Sequence, residues 1–267
     1  LGVMEIENGT AGEQVILDAL NAGYRMIDTA TVYFNEETVG AAIKKSSIPR
    51  KEIFVTSKFW VQDAGYENTK NAFNLSLEKM GLDYLDMYLV HVPFGDYYGS
   101  WRAMEELYEA GKIRAIGVCN FYPARLADLC MNVKIKPAVC QVETHPFYQQ
   151  KEAIENMKNF DIQPEAWSPL AHGRFNIFSN EMLGEIAAKY GKSISQVILR
   201  WNVQRGVAVI PKSVKKERIE ENFNVWDFAL TDEDMEKIAQ LDMGYTEAEN
   251  PTALETAIGA NQWKIHD

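Results

Sequence analysis

The sequence predicts an α/β fold in which residues 1–267 form a single domain, a (β/α)8 TIM barrel. Short apolar runs alternate with amphipathic helical patterns along the chain, which favours a parallel sheet built from βα units. Roughly eight such units fit this length, and eight units close naturally into a barrel. Apolar residues make up 46% of the composition, enough to fill a sizeable core.

Each predicted strand is a short apolar run, and the predicted helices lie between and after the strands. The strands cover about residues 1–4, 25–28, 53–57, 85–91, 114–118, 138–142, 163–167 and 207–210. The helices lie near residues 11–22, 36–46, 67–80, 101–110, 123–131, 150–159, 181–204, 215–223 and 231–241, with a break at Gly191-Lys192-Ser193. The tail from 244 to 267 is predicted to be irregular and to lie near the active face of the barrel.

Charge and cysteine usage exclude several classes of protein. The net charge is −11, which argues against a nucleic-acid-binding surface. The three cysteines lack metal-ligand spacing, so we expect reduced thiols, no metal site and a cytoplasmic protein. No apolar run is long enough to span a membrane, and no signal peptide is visible. We expect a monomer that acts on a small molecule.

Four chemically active side chains stand where predicted strands give way to loops. Asp28, Lys58 and His91 end three successive apolar runs, and Tyr33 lies in the loop after the first run. In a barrel of parallel strands, these ends converge on one face. Each residue alone is more often a turn former, a packed aromatic, a solvated lysine or a buried histidine. Their occurrence at successive strand ends favours a shared site.

The four residue types together can protonate a carbonyl oxygen. Tyr33 can supply the proton, and a nearby Lys58 is expected to lower the pKa of the phenol. Asp28 is expected to hold Lys58 charged through a buried ion pair, and His91 to polarise the substrate oxygen. Two other functions remain open at this point. One is a cofactor-independent isomerase or hydrolase, and the other is a regulatory subunit that binds a nucleotide.

Several motifs, in the right order along the chain, resemble the aldo-keto reductases, in particular the bacterial type similar to 2,5-diketo-gluconate reductases. They are Gly23-Tyr24-Arg25-Met26-Ile27-Asp28-Thr29-Ala30 with Tyr33, Thr56-Ser57-Lys58-Phe59-Trp60, Leu89-Val90-His91, and Ile210-Pro211-Lys212-Ser213-Val214. The resemblance implies a barrel that reduces aldehydes and ketones with NADPH, with Tyr33, Lys58, Asp28 and His91 as catalytic residues. The family usually has an N-terminal hairpin, and little or none of it is present in this sequence.

The sequence also indicates where a cofactor would bind. No G-x-G-x-x-G follows a strand, so a Rossmann-type site is not indicated. Trp167 can stack on a nicotinamide ring, Asn120 and Gln141 suit its carboxamide, and Lys212, Ser213 and Arg218 suit a 2′-phosphate. The resemblance adds four contacts, namely Ser168 and Leu170 near the pyrophosphate and Glu221 and Asn222 near the adenine. Cys119 stands where the family often has serine.

The predicted substrate pocket departs from the family pattern. Val92 stands where a tryptophan often follows the catalytic histidine, and Met4 replaces a common aromatic residue. With Trp60, these residues predict a pocket for small or medium carbonyl compounds, including keto-sugars and α-dicarbonyls.

Overall fold

The computed structural model describes residues 1–246 and 253–267. Within these residues the strands form a parallel sheet of seven, in which spatial order follows chain order. The strands are β1 (Met26–Asp28), β2 (Phe54–Phe59), β3 (Leu85–Val90), β4 (Ile113–Cys119), β5 (Val139–Glu143), β6 (Gln163–Trp167) and β7 (Ala208–Val209). Sequential parallel pairing with helical crossovers is the arrangement that the alternating sequence pattern predicts.

Helices connect the strands and surround the sheet. They are α1 (Thr10–Ala22), α2 (Glu36–Lys45), α3 (Tyr66–Met80), α4 (Tyr97–Glu109), α5 (Pro123–Asn132), α6 (Lys151–Asn159), α7 (Glu181–Tyr190), α8 (Ile194–Gln204), α9 (Lys216–Phe223), α10 (Asp232–Ala239) and α11 (Leu254–Gln262). The break between α7 and α8 falls where it is predicted, because Gly191 adopts a left-handed conformation and Ser193 caps α8.

The first residues of the chain close the barrel without forming a regular strand. The backbone N–H of Gly2 donates to the carbonyl of Pro211, and the N–H groups of Asp28 and Val3 link this segment to β1. A Cβ at Gly2 would lie 2.9 Å from the carbonyl oxygen of Ile210, so glycine permits this approach. The predicted strand at 1–4 is wrong as a strand, because Glu5 turns left-handed and the pairing stops. The chain is a (β/α)8 barrel in which this short segment takes the place of the eighth strand.

The alternation of side chains along the strands decides which residues face the barrel interior. The outward residues of the strands, such as Val55 and Tyr88, pack with the helices in the main hydrophobic core. The inward residues include a small apolar cluster around Met87 and Leu89. Side chains repeat every second residue in a strand. Lys58 therefore faces inward in β2.

Two further predicted regions differ from the structure. Helix α4 begins four residues before the predicted start at 101, because the side chain of Asp96 accepts a hydrogen bond from the N–H of Gly99 and caps the helix. The tail contains helix α11, although an irregular tail was predicted. Its buried contact residues are alanines, whose small side chains give only a weak apolar pattern.

Candidate active site

A buried ion pair lies at the centre of the candidate site. Nζ of Lys58 lies 2.5 Å from Oδ1 of Asp28 and donates to the carbonyl oxygen of Thr29 at 2.9 Å. Both side chains are almost wholly inaccessible to solvent. Asp28 ends β1 and Lys58 lies in β2, next to it in the sheet. Parallel pairing thus places a carboxylate and an ammonium group side by side, as the sequence predicts.

Tyr33 and His91 complete the group of four. Tyr33 lies in a 3-10 turn after β1, and Nζ of Lys58 is 5.1 Å from the centroid of its ring. His91 follows β3, and its ring meets that of Tyr33 edge to face, with centroids 5.6 Å apart. Both rings are half-buried. The structure therefore brings the four sequence-predicted catalytic residues together.

Burial has the largest effect on the charge states of this group. Burial raises the pKa of Tyr33 to about 12, although Lys58 acts in the opposite direction. The expectation that Lys58 leaves the pKa of the phenol below its ordinary value is therefore wrong for the protein alone. Burial and then the charge of Lys58 hold the pKa of His91 well below its usual range. At neutral pH the site presents a protonated phenol and a neutral imidazole.

The ammonium group of Lys58 stays charged despite its surroundings. Burial lowers the pKa of Lys58, but the carboxylate of Asp28 and the neighbouring phenol of Tyr33 outweigh it, so the pKa lies above its ordinary value. A permanent positive charge therefore lies next to the phenol. Such a charge can stabilise the phenolate that forms when Tyr33 gives up its proton.

A second carboxyl group extends this network beyond Asp28. The side-chain amide of Gln141 donates from Nε2 to Oδ2 of Asp28 at 3.0 Å and to Oε1 of Glu165 at 2.7 Å. Oε1 of Gln141 lies 3.7 Å from the thiol of Cys119. All three partners on β4, β5 and β6 are buried. Sequence reasoning missed Glu165, whose signal is an acidic residue within an apolar strand, two positions before Trp167.

The protonation of Glu165 is shifted toward neutral pH. Burial and then the charge of Asp28 raise the pKa of Glu165 to about 7, while Gln141 and Lys58 act in the opposite direction. The folded protein therefore holds a proton at this carboxyl that the unfolded chain releases near pH 4.5. Stability falls as pH rises through this window, because the unfolded chain binds fewer protons there.

We expect Glu165→Gln to remove this pH dependence. The unfolding free energy of the variant relative to wild type should rise by up to about 3 kcal/mol between pH 4.5 and pH 7 and then stay constant. Denaturant unfolding at a series of pH values measures this difference. Glu155→Gln, at an exposed position on α6, is the matched control, and the pH dependence of Glu165→Gln should exceed that of this control. A flat difference for Glu165→Gln would contradict the prediction.

The predicted nicotinamide contacts adjoin the catalytic group. Nε1 of Trp167 donates to Oδ1 of Asn120 at 2.9 Å, and Nδ2 of Asn120 donates to the carbonyl oxygen of His91 at 3.2 Å. The indole is half-buried, so part of its surface is open to a flat partner. Ser168 adopts a left-handed conformation, and its buried Oγ has no partner among the described residues. Leu170 lies in the same loop, directly before a 3-10 turn.

The predicted phosphate and adenine contacts lie on the segment after β7. Lys212 is exposed, and its Nζ is 3.8 Å from a carboxylate oxygen of Glu5. Arg218 is exposed in the first turn of α9 and makes no hydrogen bond or ion pair with the residues the structure describes. Three further residues complete the predicted set: Ser213 accepts a hydrogen bond from Lys215, Glu221 accepts one from the hydroxyl of Ser193, and Asn222 is buried.

Two of the three predicted substrate residues lie beside the catalytic group. Trp60 meets the ring of His91 edge to face, with centroids 5.4 Å apart, and Val92 packs in the same apolar cluster as Tyr33. Met4 is exposed, and its part in the substrate pocket stays a prediction.

The C-terminal segment adds a contact that sequence reasoning did not assign to a residue. Nε1 of Trp60 donates to the carbonyl oxygen of Trp263 at 3.1 Å, and their rings lie edge to face. The N–H of Ile265 donates to Oε1 of Gln62 at 2.8 Å. Residues 253–267 therefore lie against the Trp60 side of the site. Of the predicted tail, residues 247–252 lie outside the described part of the chain.

Neither a membrane span nor a metal cluster is found in the described part of the chain. No helix there has the length and apolar character needed to cross a membrane. No group of three or more His, Cys, Asp or Glu side chains is arranged to hold a metal ion among these residues.

Comparison with known proteins shows similarity to aldo/keto reductases over nearly the whole chain. Residues 8–243 match the model of the aldo/keto reductase family. The chain is 51% identical over 255 residues to a glyoxal reductase of Bacillus subtilis (strain 168), an alignment that covers 95% of this chain and 92% of that protein. It is 43% identical over 250 residues to the methylglyoxal reductase DkgA of Escherichia coli (strain K12), with 91% and 89% covered.

Solved structures of similar proteins have the same fold. MGS-M4, an aldo-keto reductase enzyme from a Medee basin deep-sea metagenome library, superimposes with a TM-score of 0.92 at 45% identity, covering 95% of this chain and 94% of that one. An aldo-keto reductase of Bombyx mori in complex with NADP gives a TM-score of 0.87 at 32% identity, covering 93% and 90%.

Proposed function

Since this chain belongs to the aldo/keto reductase family, we propose that it reduces small aldehydes and ketones to alcohols with NADPH. The observation that carries the proposal is the buried Lys58–Asp28 pair beneath Tyr33, with the neutral ring of His91 at its edge. The chemistry that NADPH would supply when bound is a hydride for the carbonyl carbon. The remaining requirement is a proton for the oxygen, and this chain holds that proton on Tyr33.

Each of the four residues has a separate role in the proton transfer. Tyr33 gives its phenolic proton to the developing alkoxide, and the charge of Lys58 stabilises the phenolate that remains. Asp28 keeps Lys58 charged and fixed in place. Nδ1 of His91 is buried and has no partner among the described residues. Because a buried Nδ1 cannot reach the substrate oxygen, we assign that contact to Nε2.

The residues of this chain fit NADPH. The orphaned Oγ of Ser168 provides an unused polar atom in a strained loop that a pyrophosphate can occupy. Trp167 offers a half-open aromatic face that Asn120 holds in place. Lys212 and Arg218 are exposed cations in an acidic protein, and they suit a 2′-phosphate. We assign Cys119, Gln141, Leu170, Ser213, Glu221 and Asn222 to the same cofactor site.

We propose small carbonyl compounds, including α-dicarbonyls, as substrates. Two relatives are named glyoxal and methylglyoxal reductases. In this chain Trp60 and Val92 bound the space beside His91 with apolar surface. Purified protein should consume NADPH, followed by its absorbance, with glyoxal, methylglyoxal and a keto-sugar. NADPH binding without turnover of these compounds or of other aldehydes would instead favour a nucleotide-binding regulatory protein.

We expect Arg218→Ala to weaken NADPH binding by roughly tenfold or more and to leave NADH binding nearly unchanged. The two cofactors differ only in the 2′-phosphate, and a charge-assisted hydrogen bond to it is worth about 1.5–3 kcal/mol. Dissociation constants of both cofactors for wild type and variant measure the effect, which should diminish with added salt.

Lys216→Ala is the matched control, because it removes a positive charge from an exposed position of the same helix. It should change neither dissociation constant by much. Equal losses of NADH and NADPH in Arg218→Ala would show that Arg218 does not bind the 2′-phosphate.

A further inference from the structure

The amide of Gln141 has a single orientation in the barrel. A primary amide carries two N–H bonds, and Nε2 of Gln141 directs them at two carboxyl groups, those of Asp28 and Glu165. Among the residues that the structure describes, its oxygen has only the weak thiol donor of Cys119, at 3.7 Å. Turning the amide over would break both hydrogen bonds and set an oxygen against the carboxylate of Asp28. The amide therefore keeps Oε1 available as an acceptor.

We propose that Glu165 is a positioning residue that fixes Gln141 so that its Oε1 accepts a hydrogen bond from the carboxamide N–H of NADPH. This inference rests on the proposed function, in which Gln141 contacts the nicotinamide carboxamide. Glu165 acts through Gln141 and does not itself touch the cofactor. Its contribution is selective, because a ring substituent that cannot donate a hydrogen bond gains nothing from an oriented acceptor.

The surroundings of Glu165 support a role beyond packing. It is 2% exposed, and it forms no ion pair of its own with the residues that the structure describes. Burying a carboxyl group without a paired cation costs stability, and a neutral or apolar side chain would fill the same space at lower cost. The acid also lies on the inward face of β6 beside Gln141, in register with it across the sheet. Its carboxyl group thus lies where it accepts a hydrogen bond from Gln141.

The test compares how the protein binds three probes. They are NADP⁺, its 3-acetylpyridine analogue, whose methyl ketone cannot donate a hydrogen bond, and adenosine 2′,5′-bisphosphate, which lacks the nicotinamide. Wild type should prefer NADP⁺ over the analogue. Glu165→Met, which removes the acceptor, should reduce this preference by about fivefold, the value of one hydrogen bond. It should leave bisphosphate binding unchanged.

Glu165→Gln keeps an oxygen that can accept from Gln141, so it should retain most of the preference. Gln141→Met, which removes the acceptor Oε1 itself, should lose at least as much of the preference as Glu165→Met, and the double variant should lose no more than Gln141→Met. If Glu165→Met does not fold, Glu165→Ser serves instead, since its side chain is too short to reach Gln141.

An unchanged preference in folded Glu165→Met or Glu165→Ser would overturn the inference. Wild type that binds NADP⁺ and the bisphosphate but binds the analogue equally well would overturn the inference and leave the proposed function intact. Wild type that binds neither NADP⁺ nor the bisphosphate would overturn both.

Discussion

Tyr33→Phe is expected to lower the turnover number by about 10²–10⁴-fold, the usual contribution of a general acid. The substitution removes only the hydroxyl group and leaves the aromatic ring, so contacts with Lys58 and His91 remain. The dissociation constant of NADPH should therefore hardly change. Burial raises the pKa of Tyr33 to about 12, which keeps the phenol protonated and able to donate throughout the neutral range.

The measurement is single-turnover reduction with deuterated NADPH, because an isotope effect shows whether hydride transfer limits the rate. Tyr66→Phe is the matched control. Tyr66 is the first residue of α3, and its hydroxyl donates a hydrogen bond to Glu106 on α4, which is not a residue of the candidate site. It should keep wild-type turnover. Near-wild-type turnover in Tyr33→Phe, with hydride transfer limiting, would remove Tyr33 from the role of acid.

The catalytic group could be predicted from sequence because its geometry follows from local rules. Asp28, Lys58 and His91 are spaced at or near the ends of successive parallel strands, and such ends meet on one face of a barrel. The inward direction of Lys58 follows from the alternation of side chains in β2. Neither step requires knowledge of contacts between distant parts of the chain. The order and type of most strands and helices could be predicted for the same reason.

Two features of the site could not be predicted, since they depend on long-range contacts. Glu165 reaches Asp28 only through Gln141, and this path requires the relative register of three strands. Trp263 meets Trp60 across 203 residues of sequence. Whether the pKa of Tyr33 lies above or below its ordinary value could not be predicted from the sequence either. A nearby lysine lowers the pKa of a phenol, and only the degree of burial shows that desolvation is larger.

Lys58→Met is expected to lower turnover strongly and also to lower the unfolding free energy by about 3–5 kcal/mol, the usual cost of breaking a buried ion pair. Without the ammonium group, the phenolate of Tyr33 loses the cation that lies 5.1 Å from the centroid of its ring. Asp28 would meanwhile be left as a buried carboxylate without its cation. Asp28→Asn should lower turnover less, because it removes only the group that supports Lys58.

The double variant Asp28→Asn/Lys58→Met separates the two effects of Lys58. It removes both charges, so it should recover much of the stability that Lys58→Met loses, whereas turnover should stay as low as in Lys58→Met. Denaturant unfolding gives the stabilities, and the pH profile of the turnover number gives the catalytic effect. Recovery of turnover together with stability would mean that Lys58 serves the fold alone. A greater loss of turnover in folded Asp28→Asn than in Lys58→Met would give Asp28 a direct part in the proton transfer.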